Sequence, residues 1–249
     1  MSVLEVKNVD KYYGTGDIAI KVLDGVSFSV EQNEFTAIMG PSGSGKTTLL
    51  NMISTIDTVS AGNIFINGMD ITEEDEDVLS EFRGENLGFI FQDFNLLDIL
   101  TVRENIELSL SIKGEKPIMT LEEISKLLGI TEILDKYPKH ISGGEKQRCA
   151  FARAFINSPK LILADEPTGS LDSNASRTIL KSMELLKEKG ATILVVTHDA
   201  FVSAWCDRVL FLRDGKIWKD LYKSEKTNRE FYNKIVETMS VLGGDINDF

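Results

Sequence analysis

The residues with the clearest chemical purpose in this 249-residue chain are the glycines, lysine and threonines of GPSGSGKTT, Gly40–Thr48. Closely spaced glycines let backbone N–H groups turn inward around phosphate oxygens. Lys46 adds a positive charge for the β- and γ-phosphates, and the Thr47 hydroxyl suits Mg²⁺. An apolar run, Phe35–Met39, precedes the segment and a helical pattern, Lys46–Ser54, follows it. The sequence therefore predicts a strand, a phosphate-binding loop and a helix in succession.

Two acidic residues stand at the end of another apolar run. Leu161–Asp165 is typical of a buried strand that ends in an aspartate, and Glu166 comes directly after it. A carboxylate at such a strand end can hold Mg²⁺ through water. The next carboxylate can orient and polarise an attacking water. Alone, the two side chains would fit loop capping equally well; beside a phosphate loop they predict nucleotide hydrolysis.

Three further side chains are candidates for the same site. His198 closes the next apolar run, and neighbouring strand ends of a parallel sheet share one crevice, although a lone histidine is more often structural. Gln92 ends the run Leu87–Phe91 and is placed for Mg²⁺ or for the attacking water. An aromatic ring can stack on adenine. Tyr12 and Tyr13 are both available for this, and their spacing alone does not choose between them.

A second anion-binding element lies later in the chain, at Ser142–Glu145, where a serine and two glycines open a helix. Such a helix start offers a hydroxyl and N–H groups to an anion, although it also fits an ordinary N-cap. Because the chain already has a phosphate loop, the two elements would have to share one pair of phosphates. Head-to-tail pairing of two chains achieves this, with the loop of one facing the serine of the other.

The elements that must position these residues alternate between strand and helix, which predicts an α/β fold with a mainly parallel sheet. Two alternating segments near the start, with a turn at Lys11–Gly16 between them, and a third segment ending in Asn-Gly predict an antiparallel patch. The stretch Asp70–Lys139 is predicted to be mostly helical. The remaining predictions are strands at Leu4–Val9, Val26–Val30, Ala61–Gly68 and Ala191–Val196, a hairpin of Val209–Leu212 with Ile217–Leu221, and helices at Val102–Ile112, Leu121–Leu128, Ser173–Lys189 and Arg229–Val241.

Charge and hydropathy exclude some classes of partner. The formal net charge is −12, whereas a nucleic-acid-binding protein should carry a basic patch. The densest charge run, Glu73–Asp77, is acidic and predicts a solvated loop and helix start. No apolar run approaches the roughly 20 residues that cross a bilayer. An acidic surface also disfavours direct binding to anionic lipid, so any action on a membrane requires a partner protein.

These motifs together resemble those of the ATP-binding-cassette (ABC) ATPases, over about Leu4–Leu221. The resemblance identifies the Walker A, Walker B, signature, D-loop and Q-loop segments. It implies a P-loop NTPase fold with a mainly parallel core sheet, an antiparallel β subdomain and an α-helical subdomain. It also implies two ATP molecules, with Mg²⁺, sandwiched in a homodimer. The implied residues are catalytic Glu166, His198 and Gln92; nucleotide-binding Tyr13, Gly40, Ser42, Gly43, Ser44, Gly45, Lys46, Thr47, Thr48, Ser142, Gly143, Gly144, Glu145 and Asp172; and Mg²⁺-binding Thr47, Gln92 and Asp165.

Other segments resemble particular branches of that family. Phe89–Ile106, Ala164–Ser173 and Lys11–Gly16 are similar to the MacB and lipoprotein-release branch. Asn51–Gly62 and Lys234–Gly244 are similar to the bacitracin- and lantibiotic-resistance transporters. That resemblance implies an ATPase at the inner face of the cell membrane, bound to a large permease that also signals to a sensor histidine kinase. A lipoprotein-release or cell-division complex is the alternative, and a DNA-associated ABC ATPase a more distant one.

The predicted domain organisation is an ATPase domain at 1–223, with a helical subdomain at about 93–158, and a helical tail at 224–249. Two signature positions depart from the family pattern: Ile141 replaces leucine and Glu145 replaces glutamine. Because Ser142 and both glycines are kept, we expect activity to survive these changes.

Overall fold

The computed structural model describes residues 1–14, 18–111 and 119–243. The chain divides into two compact units. The first contains Met1–Glu73 and the chain from Leu194 onward, and the second contains Glu74–Ile193. The phosphate loop and His198 belong to the first unit, and the two acidic residues after the later strand belong to the second.

Strands and helices alternate along much of the described chain. The strands are β1 (Ser2–Tyr13), β2 (Ile20–Glu31), β3 (Phe35–Met39), β4 (Ala61–Ile66), β5 (Met69–Asp70), β6 (Leu87–Ile90), β7 (Leu161–Asp165), β8 (Ile193–Thr197), β9 (Arg208–Arg213) and β10 (Lys216–Tyr222). The α-helices are α1 (Lys46–Ile53), α2 (Glu76–Asn86), α3 (Val102–Glu107), α4 (Leu121–Leu127), α5 (Gly143–Ile156), α6 (Ser173–Glu188), α7 (Ala200–Ser203) and α8 (Asn228–Gly243). None of the described helices is long and apolar enough to cross a membrane.

An antiparallel sheet in the first unit confirms the predicted β patch. Its strand order is β2-β1-β4-β5. Val6 of β1 lies opposite Phe28 on one side and Ile64 on the other. Leu4, Val6 and Val9 are buried while their neighbours are more exposed. Alternating side chains therefore place one face of β1 in the core.

The prediction of a turn at Lys11–Gly16 is wrong for Lys11–Tyr13, which lie in strand β1. Lys11 and Tyr13 belong to β1 and pair with Leu23 and Ile20 of β2. Tyrosines favour strands, and register shifts along this pair let the strand bend and continue. Thr15 and Gly16 lie outside the described residues.

A second group of strands in the first unit carries the phosphate loop, in the order β10-β9-β3-β8. β3 and β9 pair in parallel, with Met39 opposite Phe211. β9 and β10 form the predicted antiparallel hairpin, and Asp214 and Gly215 in its turn both have positive φ, 48° and 74°. All five residues of β3 and of β8 are buried. These continuous apolar runs are those expected of interior parallel strands.

The second unit pairs β6 with β7 in parallel, with Leu87 opposite Leu161. The stretch predicted to be mostly helical contains α2, α3 and α4, interspersed with strand β6 and short 3-10 helices. The helix predicted at Val102–Ile112 is α-helical to Glu107 and 3-10 from Leu108 to Ser111, and Ile112 lies outside the described residues. The acidic run Glu73–Asp77 is exposed, and α2 begins within it at Glu76, as predicted.

Candidate functional site

Two glycines fix the shape of the phosphate loop. A Cβ atom at Gly40, directly after β3, would lie 2.1 Å from the carbonyl oxygen of Leu212. Gly45 has a φ of +100°, and a Cβ there would lie 2.7 Å from Leu23 Cδ2. Only glycine fits both positions without displacing its neighbours. The loop therefore keeps one course up to Lys46, where α1 begins.

The polar groups of this loop fit a phosphate. The Lys46 ammonium donates to the carbonyl oxygens of Gly40 and Pro41, both at 2.9 Å. Ser44 is only 3% exposed, and its Oγ has no hydrogen-bond partner among the described residues. A buried hydroxyl without a partner is uncommon in folded proteins. A phosphate oxygen is the acceptor that this hydroxyl and the inward backbone N–H groups would share.

The other predicted residues of the loop are more accessible to solvent than Ser44. Ser42, Gly43 and Thr47 are exposed, and Thr48 is half-buried. The exposed Thr47 hydroxyl is open to a metal ion.

The structure distinguishes the two neighbouring tyrosines. Tyr13 donates its hydroxyl proton to Asp57 Oδ2 at 2.5 Å. This bond, partial burial and the negative charge of Asp57 raise the pKa of Tyr13, so its hydroxyl stays protonated. The ring of Tyr12 instead contacts Lys21, whose ammonium nitrogen lies 5.2 Å from the ring centroid. Because the N–H of Asp57 donates to the carbonyl oxygen of Asn51 on α1 at 3.1 Å, Tyr13 is the ring that is joined to the phosphate-loop helix.

His198 follows β8, and its neighbour Asp199 begins the next helix. The backbone N–H of Phe201 donates to Asp199 Oδ1 at 2.7 Å, which caps α7. His198 is exposed, in contrast to the fully buried Thr197 before it. The imidazole thus stands at the carboxyl end of a buried strand, where ligands of α/β sheets bind.

In the second unit, Asp165 ends β7 and Glu166 takes an unusual backbone conformation. Both side chains are half-buried. Glu166 has a φ of 43°, a left-handed value that is uncommon for residues other than glycine and that often marks functional sites. Its carbonyl oxygen accepts a hydrogen bond from Gly169 N at 3.0 Å. A tight turn therefore holds Glu166 directly after the strand-end carboxylate.

Gln92 lies against the loop that follows Glu166. Ser170 Oγ donates to the carbonyl oxygen of Gln92 at 2.8 Å. A Cβ atom at Gly169 would lie 3.2 Å from the side-chain carbonyl carbon and amide nitrogen of Gln92. The structure thus brings Gln92 next to residues that are separated from it by more than seventy positions, as the shared strand edge predicts.

The second anion-binding element is a complete helix cap. Ser142 is the N-cap of α5, and its N–H and Oγ both donate to Glu145 Oε2 at 2.7 Å. Glu145 N donates back to Ser142 Oγ at 3.3 Å. These bonds from the Ser142 backbone and hydroxyl lower the pKa of Glu145. The ordinary N-cap is therefore present, and any anion at this helix start would meet a serine already oriented by Glu145.

Two glycines and an aspartate complete this element. A Cβ at Gly143 would lie 3.4 Å from Leu171, and one at Gly144 would lie 3.4 Å from the side chain of Ala175. Asp172 caps α6 by accepting from the N–H groups of Asn174 and Ala175 at 2.9 Å each. The starts of α5 and α6 therefore lie side by side.

Sequence reasoning did not single out Gln147, which joins two of these segments. It is fully buried on α5. Its Nε2 donates to the carbonyl oxygen of Pro167 at 2.7 Å and to that of Phe91 at 3.4 Å. The available signal for Gln147 was an amide side chain on the buried face of a helix that is otherwise lined by apolar side chains. Such an amide needs a partner, because buried polar groups are hydrogen-bonded.

A magnesium site built from protein carboxylates alone is absent from the described residues, where no three His, Cys, Asp or Glu side chains could hold a metal ion. Mg²⁺ in phosphate-loop enzymes is commonly held by one or two protein oxygens together with substrate phosphates. Within the first unit Thr47 offers a hydroxyl of that kind, and within the second Gln92 offers an amide and Asp165 a carboxylate.

Fold and site define a cassette ATPase, and the chain belongs to the ABC transporter family, which residues 23–169 match. It is an ATP-binding protein and an ATPase of that family. It is 49% identical to the bacitracin export ATP-binding protein BceA of Halalkalibacterium halodurans, over 100% of both chains. It is 40% identical to the macrolide export ATP-binding/permease protein MacB of Aggregatibacter actinomycetemcomitans, over 90% of this chain and 35% of that one.

Among solved structures, the ATP-binding cassette MJ0796, a dimer bound to ADP and Pi after hydrolysis, matches with a TM-score of 0.77 and 38% identity. The match covers 88% of this chain and 98% of that one. Cassettes of this family bind nucleotide and dimerise. These findings confirm the predicted fold class and the predicted resemblance to ABC ATPases with MacB- and bacitracin-type relatives.

Proposed function

We propose that two copies of this chain close head to tail on two ATP molecules and that hydrolysis reopens them, which drives a separate membrane permease. The observation that carries the hydrolytic part is Glu166, held half-buried at a positive φ directly after Asp165. A carboxylate fixed in this way can orient water and accept its proton. His198 and Gln92 would complete the catalytic set, His198 at the γ-phosphate and Gln92 at the attacking water.

The nucleotide would lie in the phosphate loop, with its phosphates on Gly40, Ser42, Gly43, Ser44, Gly45, Lys46, Thr47 and Thr48 and its base on Tyr13. Thr47, Gln92 and Asp165 would hold Mg²⁺. When bound, Mg²⁺ neutralises charge that develops on the phosphate oxygens. The unpartnered Ser44 hydroxyl supports this assignment, since it lacks an acceptor that a phosphate supplies.

The partner copy would contribute Ser142, Gly143, Gly144, Glu145 and Asp172 to each nucleotide. Helix α5 is 14 residues long, and the dipole and N–H groups at the start of such a helix attract anions. The dimer of MJ0796 bound to ADP and Pi supports this arrangement.

The permease would dock in the second unit. A cavity of about 610 Å³ lies there beside β6, lined by apolar and basic residues that include Phe89, Phe91, Arg83 and Arg153. The cavity lining includes Asn95, and further along the same segment Leu97 is 45% and Ile99 is 84% exposed. A short cytoplasmic helix with apolar side chains fits a groove of this size. The chain would then act at the inner face of the cell membrane.

The biological role that we propose is resistance to antimicrobial peptides such as bacitracin and lantibiotics, with an indirect link through the permease to a sensor histidine kinase. Full-length similarity to a bacitracin export ATP-binding protein supports it. The proposed domains are an ATPase at 1–223, with a helical subdomain at about 93–158, and a helical tail at 224–249.

Co-purification with the permease encoded nearby, followed by survival of cells exposed to bacitracin, tests this role. We expect the pair to purify together and the deletion strain to become sensitive. An Ile99→Asp variant should lose the permease and keep ATP binding, whereas Val78→Asp, another exposed apolar position of the second unit, should keep both. A sensitive strain that is rescued without the permease would contradict the proposal.

A further inference from the structure

Tyr13 is held by a buried ion pair whose members have no assigned role. Lys11 lies two positions earlier on β1 and is only 6% exposed. Its ammonium donates to Asp57 Oδ1 and to the carbonyl oxygen of Thr58, both at 2.6 Å. The other carboxylate oxygen of Asp57 accepts from the Tyr13 hydroxyl at 2.5 Å. One carboxylate therefore joins a buried cation to the tyrosine.

The same lysine also covers one face of the tyrosine ring. Lys11 Nζ lies 4.8 Å from the ring centroid, within the range of a cation–π contact. A base can then stack only on the opposite face. Tyr13 is 43% exposed, so part of its surface is accessible to a base while its hydroxyl end is anchored.

We propose that Lys11 and Asp57 are positioning residues that fix the Tyr13 ring at one angle to the phosphate-loop helix and so set the affinity of the site for adenine. This inference rests on the proposed ATP site at Gly40–Thr48. A tyrosine bound at its hydroxyl loses little further rotamer freedom when a base stacks on it, and pre-ordering of this kind raises affinity. The backbone N–H of Asp57 donates to the carbonyl oxygen of Asn51 on α1 at 3.1 Å, which ties the anchored ring to the phosphate-loop helix.

The charges in this cluster agree with that role. Partial burial opposes ionisation of Asp57, but its hydrogen bonds with Lys11 and Tyr13 keep its pKa below the usual range. Asp57 is therefore an ionised acceptor at neutral pH, and hydrogen bonds to an ionised group are about twice as strong as neutral ones.

Tyr13→Phe is the decisive variant, because it keeps the stacking ring and the Lys11–Asp57 pair and removes only the anchoring hydroxyl. We expect the Kd for ATP to rise about threefold to tenfold, because the lost hydrogen bond orders the ring and does not contact ATP itself. The Kd for inorganic tripolyphosphate should stay within about twofold, since this ligand has no base to stack on the ring. A general loss of structure would weaken binding of both ligands.

Tyr12→Phe is the matched control, because Tyr12 is similarly exposed, at 41%, and is not bound to Asp57. It should leave both affinities unchanged. In an Asp57→Asn background, Tyr13→Phe should have little further effect, because the two changes remove one interaction. If Asp57→Asn does not fold, the Tyr13→Phe and Tyr12→Phe pair decides the question alone.

A fluorescence measurement separates a change in the position of the Tyr13 ring from a loss of protein stability. The emission of 2-aminopurine riboside triphosphate falls when its base stacks on an aromatic ring, and we expect less quenching in Tyr13→Phe than in the unchanged protein at saturation. Equal ATP affinity and equal quenching in Tyr13→Phe would overturn the inference. Failure of the unchanged protein to bind ATP, or full ATP affinity in Lys46→Ala, would instead overturn the proposed site.

Discussion

The side-chain amide of Gln147 donates to the backbone carbonyl oxygen of Pro167 at 2.7 Å. Gln147 lies five residues after the serine that begins α5, and Pro167 comes directly after Glu166. One buried hydrogen bond therefore joins the helix of the second anion-binding element to the turn that holds the proposed catalytic glutamate.

We expect Gln147→Glu to destabilise the protein by about 1–3 kcal/mol, because a carboxylate of the same shape would face two carbonyl oxygens in a buried site. The urea concentration at the midpoint of unfolding and the ATPase turnover should both fall. Gln147→Met removes the donor without adding charge. Its stability and turnover should therefore lie between those of the unchanged protein and those of Gln147→Glu. Unchanged unfolding and turnover in Gln147→Glu would contradict the role given to this bond.

Glu145→Gln should change the ATPase rate by less than about tenfold, or 1.4 kcal/mol in activation free energy. A glutamine oxygen can still accept from Ser142 N, which is the bond that positions the cap. Steady-state turnover of the two proteins at saturating ATP makes the comparison. A larger rise or fall would mean that the carboxylate has a role of its own at the dimer interface.

The same glutamate predicts an acid-dependent contribution to stability. Its pKa in the folded protein is lowered by Ser142, so the contribution is present above the unfolded value of about 4.3. It is lost as the pH falls through the lower folded pKa. The difference in unfolding free energy between the unchanged protein and Glu145→Gln should therefore shrink below about pH 4. A difference in unfolding free energy that grows as the pH falls would contradict the lowered pKa of Glu145.

Arg208→Met should cost about 1–3 kcal/mol in the free energy of unfolding, since it removes the hydrogen bonds of a nearly buried guanidinium. The guanidinium of Arg208 makes two bonds of 2.9 and 2.8 Å to Asp220 and a third of 2.7 Å to the carbonyl oxygen of Ser29. Its side chain is 9% exposed.

The matched control for that change is Arg213→Met on the same strand. Arg213 is 44% exposed and pairs with an 88% exposed Asp214. Exposed pairs contribute little, so this change should stay within about 0.5 kcal/mol. Similar losses in thermal or urea unfolding for the two variants would contradict the stabilising role of the Arg208 cluster.

Local patterns were sufficient to predict the phosphate loop, the hairpin at Asp214-Gly215 and the strand ending in Asp165, because each depends on glycine spacing or an apolar run. The strand through Tyr13 was missed, since its continuation depends on pairing with Ile20 across the sheet. The links of Gln147 to Pro167 and of Asp57 to Tyr13 join residues 20 and 44 positions apart. No local pattern reports such contacts, so the supporting residues of the site required the structure.

Glu166→Gln tests the central claim most directly. We expect ATPase turnover to fall by at least about a hundredfold, because the water would lose its base, while ATP binding persists. With ATP and Mg²⁺, the variant should run as a dimer in size-exclusion chromatography, and without nucleotide as a monomer. His198→Ala should likewise lose hydrolysis and keep ATP binding. Retained turnover in Glu166→Gln, with no ATP-dependent change in size, would contradict an ATP-closed dimer in which Glu166 activates the water.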